Sequence, residues 1–419
     1  MKRLLLLSTT TGYQAQQFRA AAERMGVPLA LATDSCHQLE DAWGDGALSV
    51  RFHKPRESSG KIAEFAQHNP IHGVVAIGDA PTMTAAAVAR ELKLPFHPPE
   101  AVDLCRNKFL ARERYKQAGM RVPWYQRFKV LSDPMVVARA VPYPCVVKPL
   151  GLSASRGVIR ANDEAGFVAA FTRIVALLQQ KDVRILRDES AGWIQVESFI
   201  PGREIAVEGL VTDGHVRVLA IFDKPDPLDG PFFEETIYVT PSRLDVSTQN
   251  AISECTQQAV TALGLSHGPI HAELRINDEG PWILEVAARP IGGLCAGALR
   301  FAAESGSISL EELILRHALG ENVTSIVREN CASGVMMIPI PREGFYEGVE
   351  NVEAAQDVPG IERIEITAKL QQKLVPLPEG ASYLGFIFAR GERAEMVEAA
   401  LRESHARLRF EISTAIPVV

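Results

Sequence analysis

The chain has 419 residues, of which 47% are hydrophobic and 23% charged, with a formal net charge of −7. That length allows two to four domains of ordinary globular composition. The acidic balance, with no basic tract, argues against a nucleic-acid surface, and no run approaches the ~18 apolar residues of a membrane span.

Six cysteines (Cys36, Cys105, Cys145, Cys255, Cys295 and Cys331) are scattered without a CxxC pair. This pattern fits reduced thiols in a cytoplasmic protein and carries no zinc signature. The apolar run Leu4–Leu7 is too short for a secretory leader and reads as a first buried strand.

Residues 9–12 then form a loop, Ala15–Met25 a helix closed by Gly26, and Leu29–Ala32 a second strand. Gly73–Ile77 is another strand, and an alanine-rich helix follows it through Leu92. Strand–helix alternation of this kind predicts a doubly wound sheet. Ligands of such sheets lie at the carboxyl ends of the strands, where Asp79 stands. A helix N-cap is the plainer use of that aspartate.

Pro95, Pro98 and Pro99 mark a linker, and Asn107 opens a helix running to Gly119. A short strand near Trp124–Val130 precedes a second at residues 144–149. The latter delivers Lys148 into a loop holding Gly151, Ser153, Ser155 and Gly157. Glycines and serines there can offer N–H groups and hydroxyls to phosphate, although the loop is not of Walker A type. Ala165–Leu178 is an amphipathic helix.

Strands are expected at Trp193–Phe199, Glu204–Val211 and Val216–Phe222. A proline-rich loop at 222–231 has the length of a lid, and Glu234 and Glu235 follow it. After a helix at Thr248–Leu263, Ile270, Ala272, Leu274 and Ile276 alternate with His271, Glu273 and Arg275. Leu284 and Val286 alternate with Ile283, Glu285 and Ala287, so the two runs read as a hairpin closed by Asp278, Glu279 and Gly280.

In that register Arg275 faces Ile283 and Glu273 faces Glu285. Directly opposed carboxylates repel, so the pair calls for a cation, and oxygen-only donors suit a hard divalent ion. A solvated hairpin is the plain alternative. Arg289 follows on the same strand, and Gly292 and Gly293 let backbone approach a ligand. A helix pair to about Gly320, strands at Gly334–Ile340, Ile361–Lys369 and Tyr383–Arg390, and a helix from Ala394 to Leu408 complete an α+β tail.

Lys108, Lys148 with its loop, Glu197, Glu204, Glu273 and Glu285 with Arg289 occur in this order. Together they resemble the ATP-grasp superfamily of carboxylate–amine ligases, over nearly the whole chain. The tail from Gly334 to Ile340 and through Pro376, Pro378, Gly380 and Tyr383 to Gly385 resembles the C-terminal domain of the L-amino-acid ligases.

The fold class this implies is α/β and α+β. A Rossmann-like pre-ATP-grasp domain would span 1–100, the small grasping lobe with its linking helix 101–195, the large lobe with the metal site 196–325, and the C-terminal domain 326–419. By the same resemblance Lys108 and Lys148 would bind ATP phosphates, with Leu152, Ala154 and Ser155 in the flap above them. Glu197, Ser198, Phe199 and Ile200 would receive adenine, the Glu197 side chain accepting from its amine, and Glu204 would meet ribose. Glu273 and Glu285 would hold Mg²⁺ or Mn²⁺.

Lys148, Arg289 and Gly292 would act in catalysis. Asp79, Glu234, Glu235, Arg289, Gly292 and Gly293 would meet substrate, with Gly293 leaving room for a side chain larger than that of Ala. Many ATP-grasp enzymes carry Asn two residues after the second metal glutamate, and this chain has Ala287 there. The L-amino-acid ligases share that form. The implied activity joins two small molecules, an amino-acid carboxylate and an amine, with ATP consumed to ADP. Competing readings are a ligase or carboxylase for another metabolite and an ATP-binding module without turnover. A homodimer is compatible with either.

Overall fold

The computed structural model describes residues 2–9, 13–34, 46–304 and 306–414. Cys36 and most of the predicted 9–12 loop lie outside them. Strand Leu4–Ser8 is buried throughout and pairs in parallel with Leu29–Thr33 and Gly73–Ile77, while Ala47–Ser49 adds an edge. An unbroken apolar strand requires cover on both faces. Leu4 and Leu6 pack with Phe18 and Ala21 of helix Tyr13–Arg24. Leu5 and Leu7 pack with Ile62 of helix Pro55–His68 and Val88 of helix Asp79–Leu92.

Helix Leu310–Ala318 joins the first of these layers. A Cβ at Gly73 would lie 2.4 Å from the Ala318 carbonyl, so glycine there permits the close approach. The predicted helix pair before Gly320 is half replaced. Its first member is a β-hairpin of Arg300–Ala303 and Gly306–Ser309. Gly306 has φ +110°, which breaks a helix, and Ser309 caps the real helix by accepting from Glu312 N.

Strands Tyr125–Lys129, Trp193–Ser198, Cys145–Pro149 and Ile159–Ala161 form a separate antiparallel sheet backed by helix Glu164–Leu178. A larger sheet of eight strands begins with Gly280–Ala287, Gly268–Asn277, Arg203–Thr212, His215–Asp223 and Ile237–Thr240. It continues without a break into Ala332–Ile338, Gly385–Gly391 and Ile361–Ile366, so one sheet crosses residue 325. Helix Val246–Leu263 packs on one face of this sheet. Strands Gly344–Glu350 and Arg409–Ser413 pair with each other beside helix Ala394–Arg407 and were not foreseen.

The hairpin differs from its expected register. Asn277 pairs with Gly280, leaving a two-residue loop, and Arg275 faces Trp282 rather than Ile283. Asn277 Oδ1 accepts from Glu279 N (3.0 Å) and Trp282 Nε1 (3.2 Å), which closes the turn. A bulge between Glu273 and Leu274 then restores the Glu273–Glu285 pairing.

Three histidines pack between the linker and the large sheet. His97 is 1% exposed and donates from Nε2 to Pro269 O (3.2 Å). His267 and His317 stack with ring centroids 4.0 Å apart, and His317 Nε2 meets Thr212 Oγ1 at 2.8 Å. Burial pushes the His97 pKa down to about 4 and that of His317 to about 3, and lowers His267 too.

Depressed values favour the neutral folded form, so their contribution is complete above the unfolded value and is lost as pH falls below about 6.5. For His97 alone the loss between pH 6.5 and 5 is roughly 2 kcal/mol. Thermal melts should therefore fall between pH 7 and 5, and less steeply for His97→Gln, which retains a donor. A parallel fall in both proteins would contradict this account.

Candidate active site

Three bodies meet around a cavity of about 1020 Å³. They are the carboxyl ends of the parallel strands, the small antiparallel sheet and the sheet of the Glu273–Glu285 hairpin. All sequence-predicted site residues line it except Glu234, which is half-buried outside it. Met337, Ala381 and Tyr383 of the C-terminal region also reach the wall.

At one end Lys148 leaves strand Cys145–Pro149, and its Nζ lies 2.6 Å from Glu197 Oε2. Helix Lys108–Gln117 is capped by Asn107 and supplies Arg112. Arg112 donates through Nε to Glu197 Oε1 (2.7 Å), through Nη2 to Oε2 (3.2 Å) and through Nη1 to Ile283 O (3.1 Å). Burial raises the Glu197 pKa, but Arg112 and Lys148 together pull it down to about 2.

Gln195 Nε2 also donates to Glu197 Oε1, so both carboxylate oxygens carry two donors. The role expected for this side chain, accepting from the adenine amine, does not fit that arrangement. It anchors Lys148 instead. Arg112 was not predicted; its signal was an arginine one helical turn after Lys108, on the same face.

Lys108 Nζ donates to Leu152 O (2.7 Å) and lies 3.7 Å from Glu285 Oε2. It therefore ties the loop at Leu152 to the Glu273–Glu285 hairpin. Within the flap Ala154 and Ser155 take left-handed φ values of +57° and +53°, and Gly157 one of +74°. Successive left-handed residues fold the loop back on itself, which suits a short anion-facing turn.

At the other end Lys224 is surrounded by carboxylates. Its Nζ is 2.9 Å from Glu204 and 3.5 Å from Glu273, and it also pairs with Glu235. Arg275 Nε donates to the second Glu204 oxygen (3.1 Å). Glu204, Glu235 and Glu273 offer oxygens that all lie within 4.8 Å of one another. Burial alone would lower the Lys224 pKa, yet the three carboxylates hold it well above the usual lysine value. Glu235 is pushed up by burial, with Lys224 opposing.

Glu273 thus sits opposite Glu285 in register but shares its nearest cation with Glu204 and Glu235, whereas Glu285 turns toward Lys108. Lys224 was passed over in the sequence; a lysine at the end of strand His215–Asp223, entering the lid, was its only mark. The lid itself is fastened. Arg275 donates to Leu228 O, and Arg160 to Pro231 O (2.8 Å) and Asp229 O (2.7 Å).

Arg289 crosses to the parallel sheet and makes a bidentate pair with Asp79, at 2.9 and 3.1 Å. Asp79 opens its helix as the first residue after the N-cap Gly78. Burial raises the Asp79 pKa, and Arg289, joined by Lys108 and Ser153, more than offsets it. With both oxygens on Arg289, Asp79 is an orienting partner for that arginine rather than a free site for an ammonium. Glu208, which was not foreseen, is wholly buried, accepts from Ile291 N (3.1 and 3.3 Å) and faces His271 Nδ1 at 3.2 Å. Burial raises its pKa.

Glu208 therefore pins the turn after Arg289. Within that turn Gly293 has φ +61°, and a Cβ on it would lie 3.0 Å from the Phe386 ring. A side chain there would strain the turn and enter the core, which corrects the expectation that Gly293 leaves room for substrate. Gly292 carries no such backbone demand, and a Cβ on it would meet nothing within 4 Å.

The oxygen-only donor set Glu204, Glu235, Glu273 and Glu285 fits a hard divalent cation chemically. No helix among the described residues is long and apolar enough to cross a membrane.

Comparison with known proteins agrees with this architecture. The ATP-grasp domain model matches residues 141–298, and L-amino acid ligase C-terminal domain 2 matches 336–413. An uncharacterized protein, y4rH, of Sinorhizobium fredii is 23% identical over 99% of this chain and 84% of its own length. Alanine–anticapsin ligase of Bacillus subtilis is 28% identical over 46% of this chain, an alignment spanning 43% of that ligase.

The crystal structure of L-amino acid ligase from Bacillus licheniformis superposes with a TM-score of 0.83 at 27% identity, covering 99% of both chains. N5-carboxyaminoimidazole ribonucleotide synthetase of Thermotoga maritima shares the fold at a TM-score of 0.70 and 16% identity. The chain thus carries an ATP-grasp domain and, after it, a C-terminal domain of the L-amino acid ligase type.

Proposed function

We propose that this ligase activates the carboxylate of an amino acid with ATP and joins it to the amine of a second amino acid, releasing ADP and phosphate. One observation carries the reading. A single cavity is lined by Lys108, Lys148, Arg289 and the carboxylates of Glu204, Glu235, Glu273 and Glu285, and Tyr383 of the L-amino-acid-ligase-type domain forms part of its wall. Alanine–anticapsin ligase and L-amino acid ligase, by their names, act on amino acids, which supports the same substrate class.

Lys108 and Lys148 face the phosphates, and the flap at Leu152, Ala154 and Ser155 covers them. Ser198, Phe199 and Ile200 border the nucleotide through the strand edge, with Glu204 beside it. Mg²⁺ or Mn²⁺, when bound by Glu273 and Glu285, supplies charge neutralisation to the transferring phosphoryl group. The substrate carboxylate oxygen attacks the γ-phosphorus as the bond to ADP breaks, giving an acyl phosphate. The neutral amine then attacks the acyl carbon and phosphate leaves.

Lys224 is a fixed positive charge beside these groups, and Arg289, aimed by Asp79, meets the acyl or phosphoryl oxygens through its planar fork. The fastened lid and flap exclude water, which would otherwise hydrolyse the acyl phosphate. The 1–100, 101–195, 196–325 and 326–419 divisions serve this scheme as sheet, small lobe, large lobe and closing wall. A cytoplasmic enzyme, with a homodimer as its assembly, is part of the same proposal.

Wild-type protein given MgATP and a mixture of amino acids should release ADP, and omission of amino acids should suppress it. Glu285→Gln should lower the rate by about a hundredfold or more, since a charge acting on the transition state is removed. ADP release that persists in excess EDTA, or that responds to bicarbonate and not to amino acids, would sink the reading.

Substrate size gives a second test. A side chain at Gly292 enters the cavity, so Gly292→Val should lower kcat/KM for Phe or Leu relative to Ala by about tenfold. Gly293→Ala, forced into the left-handed region at a cost of ~1–2 kcal/mol, should lower stability and the rates for all pairs alike. A selective effect from Gly293→Ala, with none from Gly292→Val, would reverse the assignment.

A further inference from the structure

The flap over the nucleotide end is held from two sides. Lys108 holds Leu152 O on one side. On the other, a turn of the C-terminal domain, residues 376–380, reaches across to the small lobe. Gly157 N donates to Pro378 O (2.8 Å), and Arg156 Nε donates to Glu379 O (2.7 Å). The Glu379 carboxylate receives both Nε and Nη2 of Arg173, the latter at 2.8 Å, from helix Glu164–Leu178.

The turn itself is stiff. Gly380 N donates to Pro376 O at 2.9 Å, and a Cβ on Gly380 would lie 1.8 Å from Val375 O, so only glycine closes it. It is rooted in the C-terminal domain through Leu374, which is 1% exposed and pairs with Gly344. Arg156 is also fixed from the small lobe, by Asp182 (2.8 Å) and Gln180 Oε1 (3.0 Å). The two residues that follow the flap, Arg156 and Gly157, are therefore clamped between the small lobe and the C-terminal domain.

We propose that residues 376–380 position the phosphate flap, with Glu379 and Arg173 as positioning residues that set how readily the flap opens. Neither side chain lines the cavity, so neither touches nucleotide. The Arg173 side chain is 46% exposed and that of Glu379 26%. An ion pair so exposed adds little to global stability. Its effect lies in local opening, which is a separate quantity from the stability of the whole fold. The C-terminal domain thus acts on the ATP end of the site as well as lining the other end, and this holds whichever substrates the ligase joins.

The test uses full-length Glu379→Ala, Arg173→Ala and the double variant. Hydrogen exchange at residues 153–157 should quicken by about tenfold in each, while exchange in the large sheet stays at wild-type rates. The affinity for MgADP by calorimetry should weaken by about threefold or more. The melting temperature should move by no more than about 2 °C. If one contact carries the effect, the double variant is no worse than either single variant. Wild-type exchange and MgADP affinity in Glu379→Ala would overturn the proposal, as would additive effects of the two substitutions.

Discussion

Arg112, Lys148 and Glu197 form a buried triad on which the geometry of the cavity depends. They come from the helix after the linker and from two strands of the small sheet, and Arg112 also reaches Ile283 O in the Glu273–Glu285 hairpin. One carboxylate between two cations in a water-poor site is costly to desolvate and tolerable only if its acceptors are filled. Here they are, by Arg112, Lys148 and Gln195. Removing one partner of such a group leaves a charge unpaired, at a cost of roughly 3–5 kcal/mol. The triad thus fixes where Lys148 stands and locks the small sheet against the large one.

That dependence explains what could be read in the sequence and what could not. The alternating runs around Glu273 and Glu285 predicted a hairpin with the two carboxylates opposed, and they are opposed. The agreement came through two compensating departures, a shorter loop and a bulge, because period-2 patterning fixes the face of a residue but not the count of residues in a turn. Lys148 was legible since a lysine leaving a buried strand is rare. Arg112, Lys224 and Glu208 were not, because a charged residue in a helix or at a strand end has an ordinary solvated use. Only burial by distant segments reveals another.

The same limit applies to roles. Glu197 and Asp79 both line the cavity, yet each is committed to an arginine, Arg112 and Arg289. Sequence order can bring an acid to a site without saying which base has already claimed it. The tail shows the converse. Three of its strands were visible from apolar runs, but their joining to the large sheet across residue 325 is long-range and left no local mark. Gly293 was misread for a related reason: a glycine signals either open space or special backbone, and φ +61° decides for the second.

These pairings have a consequence for how the cavity can take up an anion. Lys108 has Glu285, Lys148 has Glu197, Lys224 has Glu204, Glu235 and Glu273, Arg275 has Glu204, and Arg289 has Asp79. No basic group among these waits unpaired for phosphate. Lys108 can turn to a phosphate oxygen only by leaving Glu285, and Lys224 only by leaving three carboxylates. Each released carboxylate would then face the incoming anion across a short gap of low dielectric, where repulsion is strong. The exchange is favourable when the carboxylates receive a cation as the lysines receive phosphate. Nucleotide and divalent ion should therefore bind as a unit, each raising the affinity for the other by the same factor. Asp79 and Arg289 adjoin that exchange, since Lys108 acts on Asp79 and Glu285 acts on Arg289.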